Sequence, residues 1–359
     1  MLARAGAALE RGRGAEAAQI VAPVLRSSTL TRDEELTLRS MLAEAWLLQD
    51  DLEEAAAALG RPPDTFRETA PPGRLSTLWR LHGRLAYVRG DQSRAIALQG
   101  RALRQAELAH DSRSIGLAHY ELGQCYRHVG DAATVREHIT KAASALHAAG
   151  DRRYLALVHS LSGISLAELG RYDEAMAALR QAERLASVVH ADDVLATVCG
   201  NQASVMMLQH RYEQALALAE RSVSLHEEHG SGHGLAVALG TLGQICVRLG
   251  DLARAERSLH RALEVRSPIQ FHETTGAVFD TLAQIHLIRG RYETASEFLT
   301  RASDAYGPTA VKRAAGMSGR FACSAPASRS VAGPSTKRCR SPTRSSRTAR
   351  RPSTRYRPR

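Results

Sequence analysis

The residues of this 359-residue chain that suggest chemistry most directly are three histidines, His226, His229 and His233, in the segment HEEHGSGH. Imidazoles this close together are candidate metal ligands, and a zinc-binding helix typically presents two histidines four residues apart. Here the second histidine comes three residues after the first, and Gly230 occupies the required position. All three also fall at the end of a predicted helix or in its turn, so we predict no metal and no cofactor.

Nucleophilic chemistry has equally weak support. Cys125, Cys199 and Cys246 lie in predicted helices without any CxxC pair, and small core side chains explain them. The segment GSGHG at 230–234 connects two helices rather than a strand and a helix, and no GxxxxGK[ST] motif occurs. We therefore predict that the protein is not an enzyme. Scattered cysteines without a signal peptide favour reduced thiols and a cytoplasmic location.

A turn signature that recurs every 40 residues organises the chain. Its turn residues are Asp50, Gly90, Gly130, Gly170, His210, Gly250 and Gly290, and a degenerate copy lies around Gly14. Apolar residues at helical spacing flank each turn. A left-handed Gly130 closes one helix and Asp131 caps the next, so each unit is predicted to be a helical hairpin. A fixed period of this length is typical of a stacked array, whose units bury their apolar faces against one another.

Small residues occupy three further columns of the repeat. They stand seven residues before the turn residue (Gly83, Gly123, Gly163, Ala203, Gly243, Ala283), five after it (Ala95, Val135, Ala175, Ala215, Ala255, Ala295) and twelve after it (Ala102, Ala142, Ala182, Ser222, Ala262, Ala302). This pattern resembles the tetratricopeptide repeat, in which small residues allow helices to cross closely. The resemblance implies an all-α, right-handed superhelical solenoid of antiparallel helical hairpins. A HEAT or armadillo array fits the period but not these columns.

The predicted organisation is an array over residues 1–310 and a tail over 311–359. Within the array we expect a degenerate first unit at 1–30, a second unit at 31–60, a proline-rich loop at 61–73 and six regular units at 74–306. The second helix of the second unit must end before Pro62. The first unit begins inside a helix without a cap, which favours a fragment of a longer regulator.

The net charge of +11 belongs to the tail, which holds 14 Lys and Arg and no Asp or Glu, whereas the array is slightly acidic. Rich in Arg, Ser and Pro, the tail cannot bury enough apolar area to offset chain entropy, and we predict disorder. Three interpretations stay open: the product of a frameshift, a basic arm that binds nucleic acid, or a terminus that contacts an acidic surface or has no role.

The resemblance also implies a binding surface. In tetratricopeptide arrays the first helix of each hairpin lines the concave face. Carried onto this chain, the concave residues are Arg80, Arg84, Tyr87, Tyr120, Gln124, Arg127, His128, Ser160, Ile164, Ser204, Met207, Gln244, Arg248, Asp280 and Gln284. This groove would be basic toward its N-terminal end and more apolar in the middle, which suits a peptide with an acidic end and an apolar anchor. The Lys/Asn carboxylate clamp of chaperone-binding arrays is missing.

The sequence therefore favours a non-enzymatic scaffold that binds a protein or peptide, without contact to a membrane. By resemblance, its setting would be the sensory or interaction module of a bacterial signalling or transcriptional regulator. One alternative is an adaptor that contacts nucleic acid through the basic tail. Another is a helical-repeat phosphatase acting on a response regulator, for which Gln124, Gln244 and Gln284 are the recurrent candidate amides.

Overall fold

The computed structural model describes residues 1–26, 30–66, 68–229, 232–265 and 272–321, and this part of the chain is helical without strands. A 3₁₀ turn covers Pro63–Phe66. The α-helices are α1 (Leu2–Glu10), α2 (Gly14–Leu25), α3 (Arg32–Leu48), α4 (Leu52–Leu59), α5 (Pro72–Val88), α6 (Gln92–Leu108), α7 (Ser112–Val129), α8 (Ala132–Ala149), α9 (Arg152–Glu168), α10 (Tyr172–Val188), α11 (Asp192–Leu208), α12 (Tyr212–His229), α13 (Gly232–Leu249), α14 (Leu252–Glu264), α15 (His272–Ile288) and α16 (Tyr292–Phe321).

The helices pair in chain order into hairpins, each packed on the next, within a unit that spans Met1–Lys312. This architecture confirms the predicted all-α solenoid of antiparallel hairpins. The second unit, Arg313–Arg359, is described only as far as the end of α16. No helix in the described ranges is long and apolar enough to cross a lipid bilayer.

The turns follow the predicted chemistry. Gly130 ends α7 in the left-handed conformation with φ 87°, and the Asp131 carboxylate accepts a hydrogen bond from the backbone N–H of Thr134 in the first turn of α8. Asp151 caps α9 in the same way after Gly150. His210 also has a positive φ, of 60°, although it carries a side chain. The array therefore keeps its left-handed turn where the sequence does not supply glycine.

The first two columns of small residues lie where the two helices of a hairpin cross. Ala175, Ala215 and Ala255 are completely buried. At Gly243, an added Cβ would lie 2.6 Å from Leu259 Cγ and 3.4 Å from the backbone oxygen of Ala255. The helix backbones can approach this closely only because no side chain separates them. The core that results is a series of local clusters along the array, each shared by neighbouring hairpins.

Three boundaries differ from those predicted. The first turn lies at Gly12 rather than around Gly14, and the matching small residue is the fully buried Ala17. Helix α5 begins at Pro72, inside the expected loop, because proline suits the first helical position, where its missing N–H would have no partner. Helix α16 runs past residue 310 to Phe321, so the start of the segment expected to be disordered is helical, and residues 322–359 lie outside the described part.

We expect Gly243→Ala to lower the free energy of unfolding by about 1–3 kcal/mol, because the new methyl group overpacks the crossing of α13 and α14. Gly240, one turn earlier in the same helix, provides the control. Its added Cβ would meet only Val278 Cγ2, at 3.5 Å. Gly240→Ala should raise the free energy of unfolding by about 0.5–1 kcal/mol, because alanine has the higher helix propensity. Urea unfolding of both variants tests this; equal stability would mean that the crossing is not close-packed.

Candidate functional site

The odd-numbered helices form the inner layer of the array. Each contacts the next odd-numbered helix, from α1 through α15, whereas successive even-numbered helices make no comparable contact in the described part of the chain. A hairpin array bends toward the layer whose helices lie closest together. The residues predicted to line the concave face are all on α5, α7, α9, α11, α13 and α15, and thus on inner helices.

Contacts between distant hairpins show how strongly this layer bends. The Tyr154 hydroxyl on α9 donates a hydrogen bond of 2.9 Å to Glu44 Oε1 on α3. Helices α5 and α7 lie between them in the row. With helices packed about 8–10 Å apart, a straight row would separate α3 from α9 by roughly 30 Å. Further along, the His233 backbone N–H donates to Asp50 Oδ2 at 2.8 Å. Side chains of non-adjacent hairpins therefore converge on the inner face.

Glu44 is the centre of the N-terminal part of this face. Its Oε2 accepts a hydrogen bond of 3.2 Å from Arg80 Nη2, and its Oε1 accepts the bond from Tyr154. The Glu44 side chain is 20% exposed and that of Arg80 only 4%. Burial acts to raise the pKa of Glu44, but the charges of Arg80, Arg84 and Arg113 and the Tyr154 hydrogen bond outweigh it and hold that pKa at about 2.

A second buried carboxylate, Glu121 on α7, lies near the other terminal nitrogen of Arg80. Its Oε1 is 3.9 Å from Arg80 Nη1, which has no hydrogen-bond partner among the described residues. Burial raises the pKa of Glu121, although Arg84 and Arg80 act in the opposite direction. Glu121 and Glu44 therefore lie near the same two arginines with opposite shifts in pKa, because the charge of Arg113 and the hydrogen bond from Tyr154 act only on Glu44.

Three predicted residues, Tyr87, Arg127 and His128, form a chain of contacts beside this cluster. The Tyr87 hydroxyl and His128 Nε2 are 2.7 Å apart, and Arg127 Nη1 donates to Glu168 Oε1 at 2.9 Å. Arg127 Nη2 also lies 3.3 Å from His128 Nε2. These contacts link α5, α7 and α9 on the inner face. Their polar groups are already engaged by one another, and the basic charge of Arg127 is balanced by Glu168.

The remaining predicted residues are spread along the array. The Gln124 amide donates to the Tyr120 hydroxyl at 2.8 Å, and Ser160 is buried and accepts a hydrogen bond from Asn201. Ile164 is half-buried and belongs to none of the core clusters, whereas Met207 packs against the core of the later hairpins. The rest lie on three later helices: half-buried Ser204 on α11, half-buried Gln244 and exposed Arg248 on α13, and exposed Gln284 with Asp280 on α15. Asp280 accepts a hydrogen bond from Tyr306.

Sequence reasoning missed the acids that balance the basic end of the groove. Arg80 was expected on an open surface, but it is buried against Glu44. Arg84 was selected because it directly follows Gly83, the first small residue of its unit. The corresponding small residue of the second unit is Ala43, and the same rule then selects Glu44. The repeat pattern did not predict two further ion pairs of the inner face. Arg113 pairs with Asp151, and Arg153 forms two hydrogen bonds with Asp193.

The groups considered for chemistry at the outset are engaged in packing. Burial raises the pKa of Cys125 to about 12 and that of Cys199 to about 11, so neither thiol is activated as a nucleophile. Burial, with a contribution from His226, lowers the pKa of His233 to about 4. Among the described residues, no group of three or more His, Cys, Asp or Glu side chains could hold a metal ion; the side chain of His229 is not among them.

Known proteins share this repeat. Three family models described as tetratricopeptide repeat match residues 36–61, 159–188 and 194–267. No curated protein matches the chain by sequence.

Solved structures with the same fold cover nearly the whole array. A Rap protein complexed with Competence and Sporulation Factor has a TM-score of 0.66 and 14% identity, covering 89% of this chain and 90% of its own. NprR in complex with its cognate peptide NprX has a TM-score of 0.63 and 15% identity, covering 88% and 91%. Aspartyl phosphate phosphatase F from Bacillus subtilis has a TM-score of 0.51 and 15% identity, covering 85% and 93%. At these identities the likeness is one of fold.

We expect Glu44→Gln to lower the free energy of unfolding at pH 7 by about 2–3 kcal/mol, because it leaves Arg80 buried without its counter-charge. The folded-state pKa of Glu44 lies below its usual 4.5. The contribution of the Glu44 carboxylate to the free energy of unfolding is therefore complete above pH 4.5 and is lost as the pH falls toward 2. Urea titrations should show that the difference in the free energy of unfolding between the wild type and the variant shrinks as the pH falls from 4.5 toward 2.

The matched control is Glu53→Gln. Glu53 also pairs with an arginine of the next hairpin, Arg89, but its side chain is 89% exposed. We expect the free energy of unfolding of this variant to fall by less than about 1 kcal/mol, because water screens the exposed pair. Equal losses for Glu44→Gln and Glu53→Gln would contradict a special role for the buried cluster.

Proposed function

Because this chain is a tetratricopeptide-repeat protein, we propose that it binds a peptide, or an extended segment of a partner protein, along the inner face formed by its odd-numbered helices. The observation that carries the proposal is the bend of this face, which brings polar side chains from α3 to α9 within hydrogen-bonding distance of one another. A ligand on such a surface contacts several hairpins at once. An extended chain can use many of these contacts simultaneously.

The composition of the inner face suggests what such a ligand would carry. Near Ile164 the face offers a half-buried aliphatic side chain that packs in no core cluster. Toward the N-terminus it offers Arg84 and the buried ion pairs around Glu44. We propose an anionic group at one end of the ligand and an apolar anchor that contacts Ile164. Met207 is a poorer anchor site because it already packs against the core of the later hairpins.

The similar folds support a regulatory setting. The Rap protein was solved with Competence and Sporulation Factor, and NprR with its cognate peptide NprX. We propose that this chain is likewise the sensory or interaction module of a signalling or transcriptional regulator. In this role the array acts by binding and catalyses no reaction of its own.

The phosphatase alternative has weaker support, although one similar fold is an aspartyl phosphate phosphatase. Of the three candidate amides, Gln124 donates its N–H to the Tyr120 hydroxyl, and Gln244 and Gln284 lie on separate helices, α13 and α15. No carboxylate is among the hydrogen-bond partners of these amides in the described residues. The test is the release of phosphate from a phosphorylated response regulator. If the variants Gln124→Ala, Gln244→Ala and Gln284→Ala release it as fast as the wild type, this alternative is rejected.

Selection of peptides from a displayed random library on the full chain tests peptide binding. We expect one enriched family of sequences, and Ile164→Glu should weaken its binding at least about tenfold, because a buried apolar contact is replaced by a charge. Val188→Glu is the control, since Val188 is 59% exposed at the end of the outer helix α10. Fluorescence anisotropy with a selected peptide gives the affinities.

Two outcomes would contradict the proposal. The library could yield no enriched family on the folded wild-type chain. Alternatively, a selected peptide could bind the wild type, Ile164→Glu and Val188→Glu equally, which would place its site away from the inner face.

A further inference from the structure

The crossing of α7 and α8 contains a pair of histidines. His119 on α7 and His138 on α8 meet there, with their Nδ1 atoms 2.8 Å apart and their ring centroids 5.1 Å apart. His119 is 6% exposed, and His138 is half-buried. Two imidazoles therefore face each other through ring nitrogens that are largely withdrawn from solvent.

The other repeats show that this crossing does not need histidine. In the remaining regular units the same two positions are occupied by Trp79 and Leu98, His159 and Ala178, Cys199 and Leu218, Leu239 and Ser258, and Phe279 and Phe298. The last of these pairs has the same contact between two rings, with centroids 6.2 Å apart. Packing alone is thus satisfied by apolar or small side chains, and it does not explain two imidazoles that meet through their nitrogens.

The spacing of the two Nδ1 atoms suits a single metal ion. Imidazole nitrogens bind transition metals at about 2.0–2.1 Å, so nitrogens 2.8 Å apart subtend an angle of roughly 85–90° at such an ion. This is the angle between neighbouring ligands in the square-planar or tetragonal coordination of Cu²⁺ and Ni²⁺. Tetrahedral coordination of Zn²⁺ would need the two nitrogens about 3.3 Å apart.

The two rings are also in the form that binds metals. Burial, with the charges of His138 and Lys141, lowers the pKa of His119 to about 4, and burial lowers the pKa of His138 as well. Both imidazoles are therefore neutral at pH 7, and neutral imidazole is the metal ligand. Tyr126 stacks on the His138 ring, with centroids 5.5 Å apart and 11° between the planes, which holds that ring in its orientation.

From this geometry we propose that His119 Nδ1 and His138 Nδ1 bind one divalent transition-metal ion, Cu²⁺ most tightly, and that the ion joins α7 to α8. In the hydrogen-bonded pair, one Nδ1 carries a proton that the other accepts. When the metal binds, that Nδ1 releases its proton to solvent and the same ring takes up a proton at Nε2. Both rings stay neutral, and both Nδ1 lone pairs coordinate the ion.

Water completes the coordination, because no third His, Cys, Asp or Glu joins the pair in the described part of the chain. The site is independent of peptide binding and goes beyond it. An ion that binds the folded hairpin, and not the separated helices, stabilises the array by mass action. Helix α7 also carries Tyr120 and Gln124 of the inner face, so the stability of a helix that lines this face would depend on the supply of metal.

Cu²⁺ binding to the full chain tests the site. The chain contains fifteen histidines, so the site is identified by the difference between the wild type and a variant. The double variant His119→Phe/His138→Phe gives this crossing the same two side chains as the Phe279–Phe298 crossing, and we expect it to fold. Equilibrium dialysis counts the bound Cu²⁺, and electron paramagnetic resonance reports the nitrogens that coordinate it.

We expect the wild type to bind one more Cu²⁺ than the double variant. The difference between their resonance spectra should show a tetragonal ion coupled to two imidazole nitrogens. Either single variant, His119→Phe or His138→Phe, should weaken this site at least about tenfold, because one of its two protein ligands is lost. Ni²⁺, which does not oxidise thiols, should raise the melting temperature of the wild type by at least about 2 °C more than that of the double variant.

The matched control is His159→Phe. His159 occupies the position of His119 in the next hairpin, is also half-buried, and lies opposite Ala178 in the repeat, which offers no ligand. This variant should bind as many Cu²⁺ ions as the wild type, and Ni²⁺ should shift its melting temperature equally.

Three results would overturn the proposal. The folded double variant could bind as many Cu²⁺ ions as the wild type with the same spectrum, the difference spectrum could lack coupling to two nitrogens, or Ni²⁺ could shift the melting temperatures of the two proteins equally. If the double variant does not fold, His138→Phe alone gives the same comparison, because His138 is the less buried of the pair. Unweakened Cu²⁺ binding in that variant would likewise reject the site.

Discussion

The close crossing of the two helices in each hairpin is the constraint on which the rest of this structure depends. At Gly243 the facing helix comes so near that an added Cβ would lie 2.6 Å from Leu259 Cγ, and Gly163 has the same relation to Leu179. Crossings this tight fix the angle between the helices of a hairpin, and the stacking of hairpins repeats that angle along the array. The inner helices are thereby drawn into contact with one another while the outer helices spread apart.

That curvature explains why the inner face is so rich in paired charges. Side chains on successive inner helices occur at similar heights, so a residue meets partners one repeat away, as Arg153 meets Asp193 and Arg127 meets Glu168. The bend also adds partners three hairpins away, as between Glu44 and Tyr154. In so confined a place an unpaired charge would destabilise the fold by several kcal/mol, so nearly every arginine has its own acid. Among the described residues, Arg84 and the exposed Arg248 on α13 form no ion pair.

Much of the fold was predictable because its determinants are local. Left-handed turn residues, Asp caps and columns of small residues each act within one unit, and left-handed turns lie at the predicted Gly90, Gly130 and Gly250. The inner face was less predictable, since it depends on the bend. The repeat pattern placed Arg80 on an inner helix, but its burial follows from contacts with Glu44 and Glu121 on two other helices. The pairing of Tyr154 with Glu44, 110 residues apart, had no counterpart in the sequence pattern.

If a peptide binds along the inner face, as proposed, the two parts of that face would contribute differently to its recognition. Beside Arg84, an anionic group of the proposed ligand would exchange its hydration for guanidinium contacts in the field of Glu44 and Glu121, and such exchanges are often close to neutral in free energy. An aliphatic side chain buried against Ile164 meets no such opposition and contributes about 1.5–3 kcal/mol. Affinity would then come mainly from the apolar middle of the face. The charged end would fix the direction and register of the bound chain, because a peptide bound in reverse would leave its anionic group away from Arg84.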